Sequence, residues 1–427
     1  MKKLILTLII AVFFTLPVYA DNRSTAERFY SGEKVGFMDL FYETAGKSNE
    51  ISFFSNSPAN SELYYDQLTD CEKNIYNFIE TNINSTMNGT ESLQLDFNFY
   101  IDTGLSNDQF LAAAVSKFES ENNIDLVTAV TRPTYALLSL DKPEYFWIDL
   151  NKQAIQYWAR YNRSSGYTTF SIEFGLKSNY TNYYPDCYTS SEQVITDYNN
   201  MLDKAYKIVS NIPKDSTDWG KVNYFTNWLN DNADYNHSSN ASAMQYLPTS
   251  AFLYGKDTVN APVCEGYAEA LKILCNLSNV KCMCVEAIYE LNGSMTGHKW
   301  NLINIDGSFY HCDPTWFDNY NNINSYRFLF TGSVNMAKYD TGLNHTIAYQ
   351  RAFTAPNISE SDYLSVFGIN SYTLLNTDGN KTINKADIAK LLRIISGIDK
   401  DNAYDINGDG KKDINDVIKM QKLMFKQ

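Results

Sequence analysis

Three separated stretches of the chain carry residues whose types and order suit acyl-transfer chemistry. The first begins at Cys264 in Cys264-Glu265-Gly266-Tyr267-Ala268-Glu269-Ala270-Leu271-Lys272-Ile273-Leu274. Ala270, Leu271 and Leu274 fall on one face at helical spacing, and Pro262 marks the break before the helix. A cysteine in a first helical turn meets unpaired N–H groups and the positive end of the helix dipole, which favour a negatively charged, nucleophilic sulfur. The second and third stretches form a hairpin. Gly297 to Ile305 reads as a strand, Asp306-Gly307 as a type I′ turn, and Ser308 to Asp313 as the returning strand. A two-residue turn sets Ile305 opposite Ser308 and Trp300 opposite Asp313. His298 then shares a face with Asp313 as its diagonal neighbour, about 7–8 Å away at the backbone, within reach of an imidazole–carboxylate hydrogen bond. His311 is a rival base on the same face as Asp313. It ranks below His298 because it faces Leu302, whereas His298 follows Gly297 at an open strand end. Taken singly, a buried cysteine at a helix start and a solvated His/Asp pair on a hairpin are ordinary features; the three together in this order are more specific.

A second constellation is rich in oxygen. Asp405, Asn407, Asp409, Asp413 and Asp416 occupy positions 1, 3, 5, 9 and 12 of a loop. Gly410 stands at the sharp turn, and Lys411 offers a backbone carbonyl at position 7. Hard oxygen ligands wrapped in this order suit Ca²⁺. The pattern occurs 29 residues earlier as Asn376, Asp378, Asn380, Asn384 and Asp387, with Thr382 at position 7. That copy has two carboxylates among its five side-chain positions and Lys381 in place of the glycine, so weaker ion binding is expected there. Each loop runs into an apolar-faced helix: Ile388, Leu391, Leu392 and Ile395 in one, Val417, Met420 and Met424 in the other.

Over about 190 to 335 the chain resembles the transglutaminase-like superfamily, which includes cysteine proteases and acyl-transferases. The matching pieces are Cys264-Glu265-Gly266-Tyr267-Ala268, Gly297-His298-Lys299-Trp300-Asn301, and Asp306 through Asp313-Pro314-Thr315-Trp316. The resemblance implies that Cys264 attacks a carboxamide carbon, that His298 passes the proton to the leaving amine, and that Asp313 orients the imidazole. The trio calls for no cofactor. The Cys264 backbone N–H is one candidate oxyanion donor. Residues 370–427 resemble a type I dockerin. That resemblance implies Ca²⁺ in both loops and a partner bearing a cohesin module, on a scaffoldin or cell-surface protein.

Positioning these residues requires several elements and more than one domain. Helices are expected near 71–79, 107–121, 192–210 and 219–234, and strands near 155–158 and 168–174. The fold class read from this pattern is α+β. The resemblances imply that it comprises a papain/transglutaminase-like core (a helix bearing Cys packed on an antiparallel sheet bearing His and Asp), an α+β N-terminal region, and a small all-α duplicated EF-hand-like module. The expected divisions are a signal peptide at 1–20, the N-terminal region at 21–190, the catalytic domain at 191–353, a linker at 354–369 and the dockerin-like module at 370–427. The signal rests on Lys2 and Lys3, an apolar run from Leu4 to Leu16 and a small-residue cleavage site ending at Ala20. It implies an extracellular, secreted protein associated with a scaffold.

Composition narrows the partners. At 44% hydrophobic and 20% charged, the 427-residue chain can bury real cores. A net charge of −14 discounts nucleic acid and anionic membranes. Seven cysteines leave at least one thiol unpaired, and Cys282 and Cys284, two apart on a strand, read as buried apolar thiols. The function expected is hydrolysis, deamidation or transamidation of a protein or peptide substrate, on a scaffold serving plant-fibre breakdown. The alternatives are an inert binding module on the same scaffold and, lower, a carbohydrate-active component of it.

Overall fold

A computed structural model describes residues 27–31, 35–36 and 64–426, apart from 163, 292–293, 321–322, 340–344, 346–352, 355, 370, 381 and 403. The expected signal peptide at 1–20 lies outside these. Helix and sheet are mixed throughout, an α+β arrangement. Among the described residues no helix is long and apolar enough to cross a membrane.

The chain divides into two compact units, and the division does not follow one boundary near residue 190. Of the described residues, the first unit takes 27–31, 35–36, Leu68–Leu137 and Trp147–Val194; the second takes 64–67, Leu138–Phe146 and 195–426.

The first unit contains β1 (Glu27–Ser31), β2 (Val35–Gly36), α1 (Asp70–Asn82), β3 (Leu93–Tyr100), α2 (Asn107–Asn122), α3 (Leu126–Tyr135), β4 (Gln153–Asn162) and β5 (Tyr167–Leu176). Its sheet is antiparallel in the order β1-β4-β5-β3, with β2 also on β4. Thr69 and Glu72 close a capping box at the start of α1, and Ser106 and Gln109 close one at α2. Glu72 also meets Arg132 of α3 through both carboxylate oxygens at 2.9 Å, a buried ion pair joining α1 to α3.

The second unit holds the sequence's chemical residues. It contains nearly all of α4 (Ser191–Ser210), then α5 (Asp218–Asn232), α6 (Pro248–Leu253), α7 (Cys264–Leu277), β6 (Cys282–Leu291), β7 (Ser294–Ile305), β8 (Ser308–Cys312), α8 (Pro314–Tyr320), β9 (Leu329–Thr331), α9 (Ser333–Tyr339), α10 (Tyr363–Val366), α11 (Lys385–Ile395) and α12 (Ile414–Met424). Its sheet runs β6-β7-β8-β9. The β7–β8 turn has the expected register: Ile305 pairs with Ser308 and Asn301 with Cys312, with Asp306 and Gly307 both at positive φ. Helix α7 lies on β6 and β7, with α5 and α6 beside it. Gly266 allows this approach, since a Cβ there would lie 2.9 Å from Gln245 O and closer still to Ser250 Oγ.

Two expectations about the C-terminal part are corrected. Residues 354–369 are not a free linker. Ile358 pairs with Phe309, Ser359 N–H donates to Phe309 O, Asp362 accepts from Gly332 N–H, and Tyr363, Leu364 and Ile369 are buried. The α11–α12 pair is likewise part of the second unit. Phe425 pairs with Ser216, Thr217 donates from N and Oγ1 to Met424 O and Leu423 O, and Asn223 of α5 donates to Ile383 O. Two eleven-residue helices offer little interior of their own. Ile383, Leu391, Met420 and Leu423 reach near-complete burial in the full unit.

Gly266→Ala is expected to destabilise the second unit by about 1–3 kcal/mol through overpacking of α7 against residues 245–250. Urea unfolding followed by tryptophan fluorescence checks this; an unchanged midpoint would contradict the packing.

Candidate active site

The hairpin register brings His298 and Asp313 together as expected. His298 Nε2–H donates to Asp313 Oδ2 at 2.7 Å. That bond commits Nε2 and leaves Nδ1 as the nitrogen available to the Cys264 side chain, which is close enough to help raise the imidazolium. Cys264 is partly exposed, whereas Asp313 is fully buried. The site thus opens at the sulfur and closes at the carboxylate. Thr315 and Trp316 at the start of α8 donate backbone N–H groups to Asp313 Oδ1 at 2.9 and 3.0 Å, so a helix N-terminus holds the carboxylate.

These contacts set the charges. Burial alone would lower the His298 imidazolium, but Asp313 and Cys264 outweigh it and lift it to about 10. Burial would raise the Asp313 carboxyl, but His298 and His345 hold it far below the usual carboxylate range. A charged imidazolium between a sulfur and a carboxylate is therefore the resting state near neutral pH.

Strand β7 alternates its two faces, and the sequence reading missed what lies on the second. Lys299, beside His298 in the chain, projects to the side where α7 packs. Its Nζ lies 2.7 Å from Glu269, 3.2 Å from Glu265 and 3.2 Å from Glu286. Two residues on, Asn301 Nδ2–H donates to Ala268 O at 2.9 Å and meets the Cys282 and Cys284 sulfurs. Both thiols are buried, as expected. Glu265 adjoins Cys264 and Lys299 adjoins His298, so one ion cluster spans the immediate neighbours of sulfur and base. Helix packing decides which strand face an ion pair occupies, so sequence spacing did not reveal it.

His345 was also missed. Its Nε2 lies 2.9 Å from the same Asp313 oxygen that His298 uses. No spacing rule connects residue 345 to the hairpin; the available signal was that the chain has four histidines. His311, the rival base, accepts at Nδ1 from Trp300 Nε1–H at 3.0 Å and stacks on that indole, which ties it to a packing role.

His298, Asp313 and His345 place ligand-type atoms within 4.8 Å of one another. However, the two imidazole nitrogens lie 2.7 and 2.9 Å from one oxygen. Ligands of one tetrahedral zinc would sit about 3.3 Å apart, so the shorter distances indicate shared protons.

The C-terminal loops are curled by hydrogen bonds from their own backbone to their side-chain oxygens. Asp405 accepts from Asp409 N–H and Gly410 N–H, Asn407 from Asp409 N–H, and Asp409 from Lys411 N–H. Asp413 caps α12, and Asp416 accepts from Ile406, Asn407 and Asp413. The first loop repeats the design. Asp387 accepts from Thr377, Asp378 and Asn384, Asn384 caps α11, Asp378 accepts from Asn380 N–H, and Asn380 from Thr382 N–H. Asn376 Oδ1, at position 1, is buried without a hydrogen-bond partner, an acceptor that a cation or water would satisfy. Among the described residues the loop carboxylates do not gather in threes within 4.8 Å, so an ion would have to draw them inward.

Two substitutions test this geometry. The His298 group is raised from 6.5 to about 10. Its imidazolium pair with Asp313 is therefore complete below 6.5 and lost as pH rises through about 10. Alkylation of Cys264 by anionic iodoacetate should fall across that range, and in Asp313→Asn the fall should begin at lower pH. Lys299→Met leaves buried carboxylates without their cation and should cost roughly 3–5 kcal/mol in chemical denaturation. A smaller loss would show that the cluster does not hold α7 to β7.

Comparison with known proteins gives one family match. The family model described as Transglutaminase-like superfamily matches residues 204–314, a span that includes Cys264, His298 and Asp313. No curated protein matches the chain. The match supports the superfamily for that segment and with it a cysteine-dependent peptidase or acyltransferase chemistry.

Proposed function

We propose that the protein is a secreted cysteine-dependent enzyme acting on peptide bonds or glutamine carboxamides as protease, deamidase or transglutaminase. The observation that carries this is the placing of the His298 imidazole between Cys264, which helps to raise it, and the Asp313 carboxylate, which it meets through Nε2 at 2.7 Å. The Cys264 sulfur attacks the carbonyl carbon. The developing oxyanion takes the Cys264 backbone N–H, which lies in the first helical turn and has no intrahelical acceptor. His298 delivers its Nδ1 proton to the leaving amine, and the acyl-enzyme forms as that amine departs. Water or a second amine then attacks the thioester, giving its proton back to His298. Asp313 stays ionised throughout and stabilises the imidazolium.

The α11–α12 segment is proposed as a dockerin that binds a cohesin module on a scaffoldin or cell-surface protein. Asp405, Asn407, Asp409, Lys411 O, Asp413 and Asp416 would hold one Ca²⁺. Asn376, Asp378, Asn380, Thr382 O, Asn384 and Asp387 would hold a weaker one. The bound ions would neutralise the loops' carboxylates and tighten them. Leu392, Ile398 and Ile414 are exposed apolar side chains on this segment and would supply a docking face.

The test incubates the protein with a peptide and glutamine/amine mixture and reads products by mass spectrometry, since cleavage, deamidation and crosslinking change mass differently. Cys264→Ala should lower turnover roughly 10³–10⁶-fold. Iodoacetamide should label Cys264 faster than Cys187, the other partly exposed thiol. Equal, slow labelling of both would favour an inert binding module. Ca²⁺ should raise the thermal midpoint of the wild type and do so less in Asp405→Ala; identical shifts would remove the second loop from the proposal.

A further inference from the structure

We infer that His345 is a positioning residue of the active site, sharing the Asp313 carboxylate with His298 and so setting how firmly that carboxylate holds the His298 proton. This rests on His298 being the proton carrier for Cys264.

Among the described residues the Asp313 carboxylate accepts four N–H bonds. Oδ1 takes the Thr315 and Trp316 backbone groups, and Oδ2 takes His298 at 2.7 Å and His345 at 2.9 Å. The His345 side chain is 2% exposed. It stands edge-on among aromatic rings, 4.7 Å from Trp316, 4.9 Å from Trp300 and 5.2 Å from His298 between centroids, at 86°, 70° and 80°. Two indole walls would suit an apolar side chain, and burying an imidazole there is costly unless it is hydrogen-bonded. The bond it makes is to the oxygen that already orients the base.

An oxygen with two donors divides its negative charge between them. Each bond is weaker than it would be alone, so His345 loosens the grip of Asp313 on the imidazolium. That matters because His298 must release its proton to the leaving amine. Among the described residues, ionisable groups facing His298 and His345 include Cys264 at the start of α7, Asp313, and His311 on β8, whose ring lies 6.3 Å from His345. The charged residues Lys299, Glu265, Glu269 and Glu286 meet on the other face of β7.

A purely structural role predicts the opposite sign. If His345 only kept Asp313 in place, its loss would let the carboxylate drift and the imidazolium would weaken. Four histidines make ring ¹H–¹⁵N spectra tractable. The experiment titrates the wild type, His345→Phe, which fills the slot without donating, and His345→Gln, which can donate. In His345→Phe, His298 should lose its proton about half a unit to one unit higher in pH than in the wild type. The alkaline limb of Cys264 alkylation by iodoacetate should move with it, and His345→Gln should bring both back. No shift, or a shift downward in His345→Phe, overturns the inference. Should that variant not fold, the wild-type spectra still decide: His345 must carry its proton on Nε2, and an Nδ1–H tautomer with bare Nε2 overturns the proposal. If wild-type Cys264 alone proves unreactive, the enzymatic reading fails, while the ring titration still reports whether His345 biases His298.

Discussion

The buried ammonium of Lys299 is the constraint on which the site's geometry depends. A cation at this depth is tolerated only where carboxylates surround it. Two of its three partners, Glu265 and Glu269, come from the first two turns of the helix that begins at Cys264, and the third, Glu286, comes from β6. Sliding α7 along the sheet or rotating it would strip the ammonium of two of its three carboxylates and leave it Glu286 alone. Burial pushes Glu269 up to about 8 even against the pull of Lys299, so the cluster carries a desolvation cost. Its contribution is a fixed register more than net stabilisation.

Strand β7 thereby serves two purposes through its alternation. His298 and Trp300 project to one side, where the proton relay lies between indoles. Lys299 and Asn301 project to the other, where they grip α7 through side-chain and backbone acceptors. The relay side is closed at its far end by the first turn of α8, whose backbone N–H groups hold Asp313. Two helix N-termini therefore frame the imidazole, one presenting sulfur and the other anchoring carboxylate.

Much of this was legible in the sequence because it depends on local rules. Asp306-Gly307 dictates a two-residue turn, the turn dictates the register, and the register brings His298 to Asp313. Pro262 and the apolar spacing after Cys264 fix the start of α7, and the repeated oxygen pattern foretold two similar loops. What remained hidden depends on packing between distant segments. His345 lies 32 residues beyond Asp313 with no periodic relation to it. The Lys299 cluster follows from the face that α7 chooses. Residues 64–67 and 138–146 join the second unit through tertiary contacts such as Tyr64 OH to Cys284 O and Asn276 Nδ2 to Asp141 O. The 354–369 stretch read as a linker from Pro356 and its polar neighbours, yet Tyr363, Leu364 and Ile369 within it are buried.

The pairing of Phe425 with Ser216, at the foot of α5, joins the end of the chain to the helix that flanks α7. A tail fastened there cannot act as a flexible leash. Anything that grasps α11 and α12 grasps the sulfur-bearing framework as one body, and the mouth beside Cys264 then points in a direction fixed by the grip.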